Sequence, residues 1–75
     1  NPTTNKLTLS FTTQENTTAT WTLYNELGKK IKIGKQKLIA SNNQINLDLE
    51  KLKRGIYFVS IEIDGEIITK QIVKQ

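Results

Sequence analysis

The segment Gly55–Ile63, GIYFVSIEI, alternates apolar side chains with a period of two along its length. One face carries Tyr57, Val59, Ile61 and Ile63. This period is that of a β-strand, because successive side chains of a strand point to opposite faces. We therefore predict that Gly55–Ile63 is a strand, and that it is the central strand of the domain.

Turn signals bound this segment on both sides. The pair Asp64-Gly65 is typical of a type I′ hairpin, and Glu66–Lys74 is its predicted return strand. The return strand has apolar residues of both parities, which predicts a bulge or partial cover on both faces. Upstream, Glu50–Arg54 indicates a short helical turn, with Leu52 filling the edge of the core.

The same alternation predicts five further strands, with turns every 8–12 residues (about the spacing of sandwich folds). Polar residues 12–18 are expected to be a loop, and residues 41–43 a turn. Gly28 serves the turn at residues 25–28, and Gly34 ends a strand. The further strands are residues 6–11, 19–24, 29–33, 36–40 and 44–49.

A hairpin is expected between the second and third of these strands. With the turn at residues 25–28, Trp21 and Leu23 would face the same core as Ile31 and Ile33. In this arrangement the lysines of the third strand, Lys30 and Lys32 among them, point outward.

Length and composition favour one small all-β domain. The chain has 75 residues, a 36% hydrophobic content typical of a folded domain, and many β-branched threonines and isoleucines. The predicted fold is a small antiparallel β-sandwich of about seven strands, immunoglobulin-like in outline, over residues 1–75. We expect a monomer, excised from a longer secreted protein.

Residue types exclude most chemistry. The chain has no cysteine and no histidine, which removes thiolate nucleophiles and the commonest general base and metal ligand. Glu62, Asp64 and Glu66 cluster at a convex, solvated hairpin, which lacks the cleft that a pair of catalytic carboxylates needs. The sequence therefore predicts no enzyme activity, no cofactor and no metal.

The distribution of charge indicates a first candidate binding surface. The net charge is +4, and the run Lys29–Lys37 is its densest part. Lys30 and Lys32 either form a solvated face that blocks edge pairing or dock on an anionic surface. Nucleic acid is not expected, because exposed aromatics and a recognition helix are missing, and no apolar run is long enough to insert in a membrane.

The final strand carries a second basic feature, with Ile72 and Val73 between Lys70 and Lys74. Either the lysines guard a terminal edge strand against aggregation, or the edge and its charges form a docking strip for a partner. The residues themselves do not decide between the two.

Three motifs in order resemble a known family. They are LGKK at residues 27–30, L-x-x-L-x-x-G-I-Y-x-V at residues 49–59, and K-x-I-V-K at residues 70–74, after an opening Asn1-Pro2. Together they resemble the type A C-terminal sorting domains of the type IX secretion system of Bacteroidetes. The aromatic-Pro lead-in usual in that family is missing, so we expect any processing site upstream of residue 1.

The resemblance implies a secretion signal. Such domains fold as immunoglobulin-like sandwiches and direct attached cargo across the outer membrane, through the periplasm to the cell surface or the medium. Their implied partners are the outer-membrane translocon, a shuttle β-barrel and a cell-surface sortase. The family motif falls on Asn1, Pro2, Gly28, Gly55 and Tyr57, and its lysine-bearing tail falls on residues 70–74. The alternative is a non-catalytic accessory module, either a structural spacer or a carbohydrate-binding domain with Tyr24 and Phe58 outward.

Overall fold

The computed structural model describes residues 2–3 and 6–75. Its strands are β1 (Pro2–Thr3), β2 (Lys6–Thr13), β3 (Thr17–Asn25), β4 (Lys30–Leu38), β5 (Ser41–Asp48), β6 (Gly55–Ile63) and β7 (Glu66–Lys74). None of the described residues forms a helix, and the short helical turn expected at residues 50–54 is a single turn closed by a hydrogen bond from Leu52 N to Leu49 O. No helix in this part of the chain could cross a membrane.

Two sheets pack face to face. Five strands form one sheet in the order β1-β7-β6-β3-β4, and β2 and β5 form the other. The all-β sandwich is therefore confirmed, and β6 is the central strand of the larger sheet. Pairing is antiparallel except at β1, which pairs in parallel with the end of β7.

The alternation of β5 and β6 correctly predicts the core. Val59 and Ile61 are fully buried, as is Ile45 of the facing sheet. Trp21, Leu52 and Ile63 pack partly buried against this cluster. The buried apolar residues are Leu9, Ala19, Leu23, Leu38, Ile45, Leu47, Leu49, Tyr57, Val59, Ile61 and Ile72.

The β6–β7 hairpin is the predicted type I′ turn. Asp64 and Gly65 both have positive φ, 50° and 83°, as that turn requires. The bulge considered for β7 is wrong, because its register to β6 runs without a shift from Glu66 to Lys74. The apolar residues on both faces of β7 instead reflect uneven burial of the strand, since Ile72 is buried while Ile67 and Ile68 are exposed.

The expected inward position of Ile31 and Ile33 is wrong. They are 40% and 57% exposed. A shift in register between Leu23 and Tyr24 pairs Leu23 with Lys32 and places Gly34 on the inner face. Since side chains alternate with a period of two, this single offset moves Ile33 to the solvent face.

Strand ends also differ from expectation. β4 continues through Gly34 to Leu38, and β5 already begins at Ser41, so the turn falls at residues 39–40 rather than 41–43. The Asn43 side chain holds this turn, because its Oδ1 accepts from Ile39 N at 2.9 Å and its Nδ2 donates to Ile39 O at 2.7 Å. The loop expected at residues 12–18 is shorter, with β2 ending at Thr13 and β3 starting at Thr17.

Tyr57 ties β6 to the segment before it. Its hydroxyl donates to Lys53 O at 2.6 Å, and its ring is buried. A tyrosine at the start of a strand, bonded to the backbone a few residues upstream, is the tyrosine corner found in immunoglobulin-like sandwiches. The family-motif tyrosine is therefore a structural residue in this fold.

Replacing Tyr57 with phenylalanine is expected to lower the free energy of unfolding by about 1 kcal/mol, because one partly buried hydrogen bond is lost. Tyr24→Phe is the matched control, since the Tyr24 hydroxyl has no hydrogen bond within the described residues. Urea denaturation of both variants measures the difference. Equal stability losses would show that the bond to Lys53 contributes nothing.

Candidate docking surface

The outer edge of β7 is open along most of its length. β1 pairs only with Val73 and Lys74, so the backbone from Glu66 to Ile72 has no neighbour on that side among the described residues. The sequence expectation of a terminal edge strand is therefore correct for this part and incorrect for its last two residues.

The register shows which backbone groups face this edge. Ile63 and Glu66 close a two-residue loop as a hydrogen-bonded pair, and bonded and non-bonded pairs alternate from there. Ile67, Thr69 and Gln71 belong to the non-bonded pairs. Their N–H and C=O groups therefore point away from β6, into the space that an added strand would occupy.

Burial divides the four docking candidates on this strand. Lys70 is exposed and Val73 is half-buried. Ile72 and Lys74 are only 2% and 7% exposed. Ile72 is part of the core, so it supports the strand and its side chain offers no surface to a partner. Of the four, the side chain of Lys70 is the one most open to contact.

Two exposed apolar residues, which were not among the docking residues predicted from the sequence, lie beside Lys70. Ile67 is 65% exposed and Ile68 is 43% exposed. They lie on opposite faces of the strand, since adjacent residues of a strand alternate. Their mixed parity was the available signal. On an open edge, each of these exposed isoleucines is available to pack against the side chains of an added strand.

A groove lies between this edge and the second sheet. Leu7–Ser10 of β2 and Lys70–Ile72 of β7 line a space of about 300 Å³. The opposite side of the sandwich is bridged, because Gln36 Nε2 donates to Gln44 O at 2.7 Å and so links β4 to β5. A groove therefore lies between the sheets on the β2–β7 side, and a side-chain hydrogen bond links them on the β4–β5 side.

The remaining family-motif positions are structural or lie elsewhere. Asn1 lies outside the described residues, and the backbone of Pro2 forms part of β1. Gly28 takes φ 83° in the β3–β4 turn, where Asn25 Oδ1 accepts from the backbone N–H groups of Leu27 and Lys29. Gly55 begins β6.

The acidic residues at the hairpin are Glu62, Asp64 and Glu66. Asp64 Oδ1 accepts a hydrogen bond from Thr17 Oγ1 at 2.6 Å, which joins the hairpin to the start of β3. Glu62 and Glu66 are exposed. Within residues 2–3 and 6–75 no group of acidic side chains is arranged to hold a metal ion.

The candidate basic surface lies on the opposite edge of the larger sheet. Lys30 and Lys32 are both exposed on β4, which pairs only with β3 among the described residues. The expectation that both side chains point outward is wrong for Lys32, because the shifted register sets it directly opposite the buried Leu23, on the core-facing side of the sheet. The domain therefore presents two separate basic edges, one at each end of the five-stranded sheet.

Comparison with known proteins gives one family. A search of curated proteins finds no significant match. A family model described as the secretion system C-terminal sorting domain matches residues 1–75. Because that match spans the whole chain, the protein belongs to the family of C-terminal sorting domains of the type IX secretion system.

Proposed function

We propose that this domain is recognised through the open edge of β7, which docks on the type IX outer-membrane machinery and so carries an attached cargo out of the cell. Membership of the family supports the general role of a sorting signal that interacts with this machinery and leads to surface display or secretion. As in the family at large, the role is a non-catalytic one.

The observation that carries the finer proposal is the open groove between β2 and β7. A strand edge offers a partner main-chain hydrogen bonds, and neighbouring pockets select its side chains. Here the outward backbone groups of Ile67, Thr69 and Gln71 would supply the bonds, and the groove would supply a pocket. A shuttle β-barrel or a translocon would use an extended segment outside its closed barrel for this mode, because a closed barrel has no free strand edge.

We also propose the route that the domain takes with its cargo. The domain folds as one unit at residues 1–75, crosses the periplasm attached to its cargo, and meets the shuttle β-barrel before the cell-surface sortase. An autonomous fold suits this path, since the two sheets bury a continuous core that includes Leu47, Val59 and Ile61.

The experiment is a fusion of the 75-residue chain to the carboxyl end of a periplasmic reporter, expressed in a host with an active type IX system. We expect the reporter on the cell surface or in the medium, and in the periplasm of a translocon-deficient strain. The control is the same reporter with an unrelated immunoglobulin-like domain. Equal export of the two fusions would show that the domain is a spacer.

A further inference from the structure

We propose that the free edge of β4 is a second docking edge, which takes up an extended acidic polypeptide segment as an additional strand. We call this surface the β4 edge and define it by the backbone of Ile33, Lys35 and Lys37 with the side chains of Lys30 and Lys32. The inference goes beyond the sorting role and does not depend on β7.

Unpaired backbone groups lie along this edge. Asn25 N donates to Lys29 O at 2.9 Å, so Asn25 and every second residue before it on β3 bond to β4. The bonded partners on β4 are then Lys32, Gly34 and Gln36. The residues between them, Ile33, Lys35 and Lys37, turn their N–H and C=O groups outward, and β4 has no second neighbouring strand among the described residues.

Five positive charges border these groups. They are Lys29, Lys30, Lys32, Lys35 and Lys37, and all five are exposed. Residues 27–47 contain no aspartate or glutamate. None of the five lysines forms an ion pair within the described residues. The edge therefore carries an uncompensated charge that favours an anionic partner.

Exposed isoleucines make a polypeptide a better partner than a simple polyanion. Ile31 and Ile33 lie between the lysines and are 40% and 57% exposed. Ile33, Lys35 and Lys37 lie on one face of β4, so a strand that sets a β-branched residue opposite Ile33 and carboxylates opposite the two lysines can pair with all three while its backbone bonds to the edge. Phosphate or sulfate groups would pair with the lysines but would make no apolar contact with the isoleucines.

A second copy of this chain does not fit the same edge. Pairing two β4 edges would bring Lys35 and Lys37 of one copy against lysines of the other, and like charges on neighbouring strands are destabilising. The lysines thus discourage self-association at the edge and leave it open to an acidic strand. This combines the two interpretations of the basic run that the sequence left open.

The test is titration of the 75-residue chain with a capped peptide of glutamate and threonine that has nine residues, as β4 has. Two of its glutamates, two residues apart, face Lys35 and Lys37, and a threonine two residues further on faces Ile33. Hydrogen exchange by NMR is the readout. We expect the amides of Ile33, Lys35 and Lys37 to become protected, at least about fivefold at saturation. The amides of Lys32, Gly34 and Gln36 are already bonded to β3, so their exchange should change little.

Two matched controls separate strand addition from charge attraction. The same peptide with alternate residues N-methylated keeps its charge but cannot form the ladder, and should protect none of the three amides. The variant Lys35→Glu/Lys37→Glu should weaken binding about tenfold, because favourable cross-strand pairs become repulsive. Lys51→Glu/Lys53→Glu, which changes the charge equally between β5 and β6, should bind normally.

Three results would overturn the proposal. These are equal binding of the N-methylated and parent peptides, equal binding by the two double variants, and protection of the three amides by heparin or anionic lipid vesicles but not by the peptide. Since none of these assays involves export, a negative result here would leave the role of β7 in sorting unaffected.

Discussion

Replacing Gln71 with proline is expected to stop export of an attached reporter while the domain remains folded. Gln71 is exposed, and its N–H points to the open edge of β7. Proline there removes a donor that a docking strand would use and breaks no bond to β6. We expect exported reporter to fall about tenfold or more, the effect of losing one bond and placing a ring in the interface.

The control for this variant is Gln71→Ala, which changes the same side chain and keeps the N–H. It should be exported normally. Circular dichroism and urea denaturation of both variants report whether the fold is retained. Normal export of a folded Gln71→Pro variant would exclude strand addition at this edge.

Deleting residues 70–75 is also expected to abolish export, but it would act on two properties at once. The deletion removes part of the open edge, including the outward backbone groups of Gln71, and also removes Ile72, which is 2% exposed in the core. Loss of a buried isoleucine alone costs about 2–5 kcal/mol, a large share of the stability of a small domain. Gln71→Pro separates docking from folding, and the deletion does not.

Replacing Gly34 with alanine is expected to destabilise the fold by about 1–3 kcal/mol, which is the usual cost of overpacking. A Cβ atom at Gly34 would overlap ring atoms Cζ2 and Cε2 of the Trp21 indole, which lies against this glycine. Removing glycine from a strand interior normally stabilises by about 0.5–1 kcal/mol, so the overlap is expected to be the larger effect. Thermal and urea denaturation measure the net change.

A double-variant cycle isolates the cause. In a Trp21→Val background the indole is absent, so Gly34→Ala should be neutral or stabilising there. The same loss in both backgrounds would show that the contact with Trp21 is not responsible. Circular dichroism is the readout, because the Trp21 variant has no tryptophan left to fluoresce.

The local sequence pattern was sufficient to predict the structure where one face of a strand is buried along its length. The alternation around Val59 and Ile61 correctly predicted the core side of β6, and Asp64-Gly65 correctly predicted a type I′ turn. Both features depend on neighbouring residues only, because side-chain parity and turn dihedrals are properties of a few consecutive residues.

The sequence pattern gave a wrong prediction for β4, because the contact that explains Gly34 is made with a residue of another strand. Gly34 indicates a strand end when β4 is considered alone, yet the indole of Trp21 on β3 needs a residue without Cβ at this position. The register offset beside Leu23 then turns Ile33 outward. No local signal marks that offset, since either parity gives β4 an equally regular alternation.

The sequence predicted which strand carries the candidate docking residues, but not which of their side chains are exposed. Lys70 and its neighbours were correctly located on a terminal strand, and the family motifs were recognisable in order. Which of those side chains are exposed depends on how far the second sheet covers β7, since Ile72 is 2% exposed while Ile68, on the same face, is 43% exposed.

By itself, the sequence determined that this chain forms strands around Gly55–Ile63, contains no cysteine or histidine, and carries the motifs of a sorting domain. Only the tertiary structure decided which edges stay open, because an edge is defined by the absence of a neighbouring strand. That depends on the order of strands in the sheet, which pairs residues far apart in the chain and cannot be read from the period of any one segment.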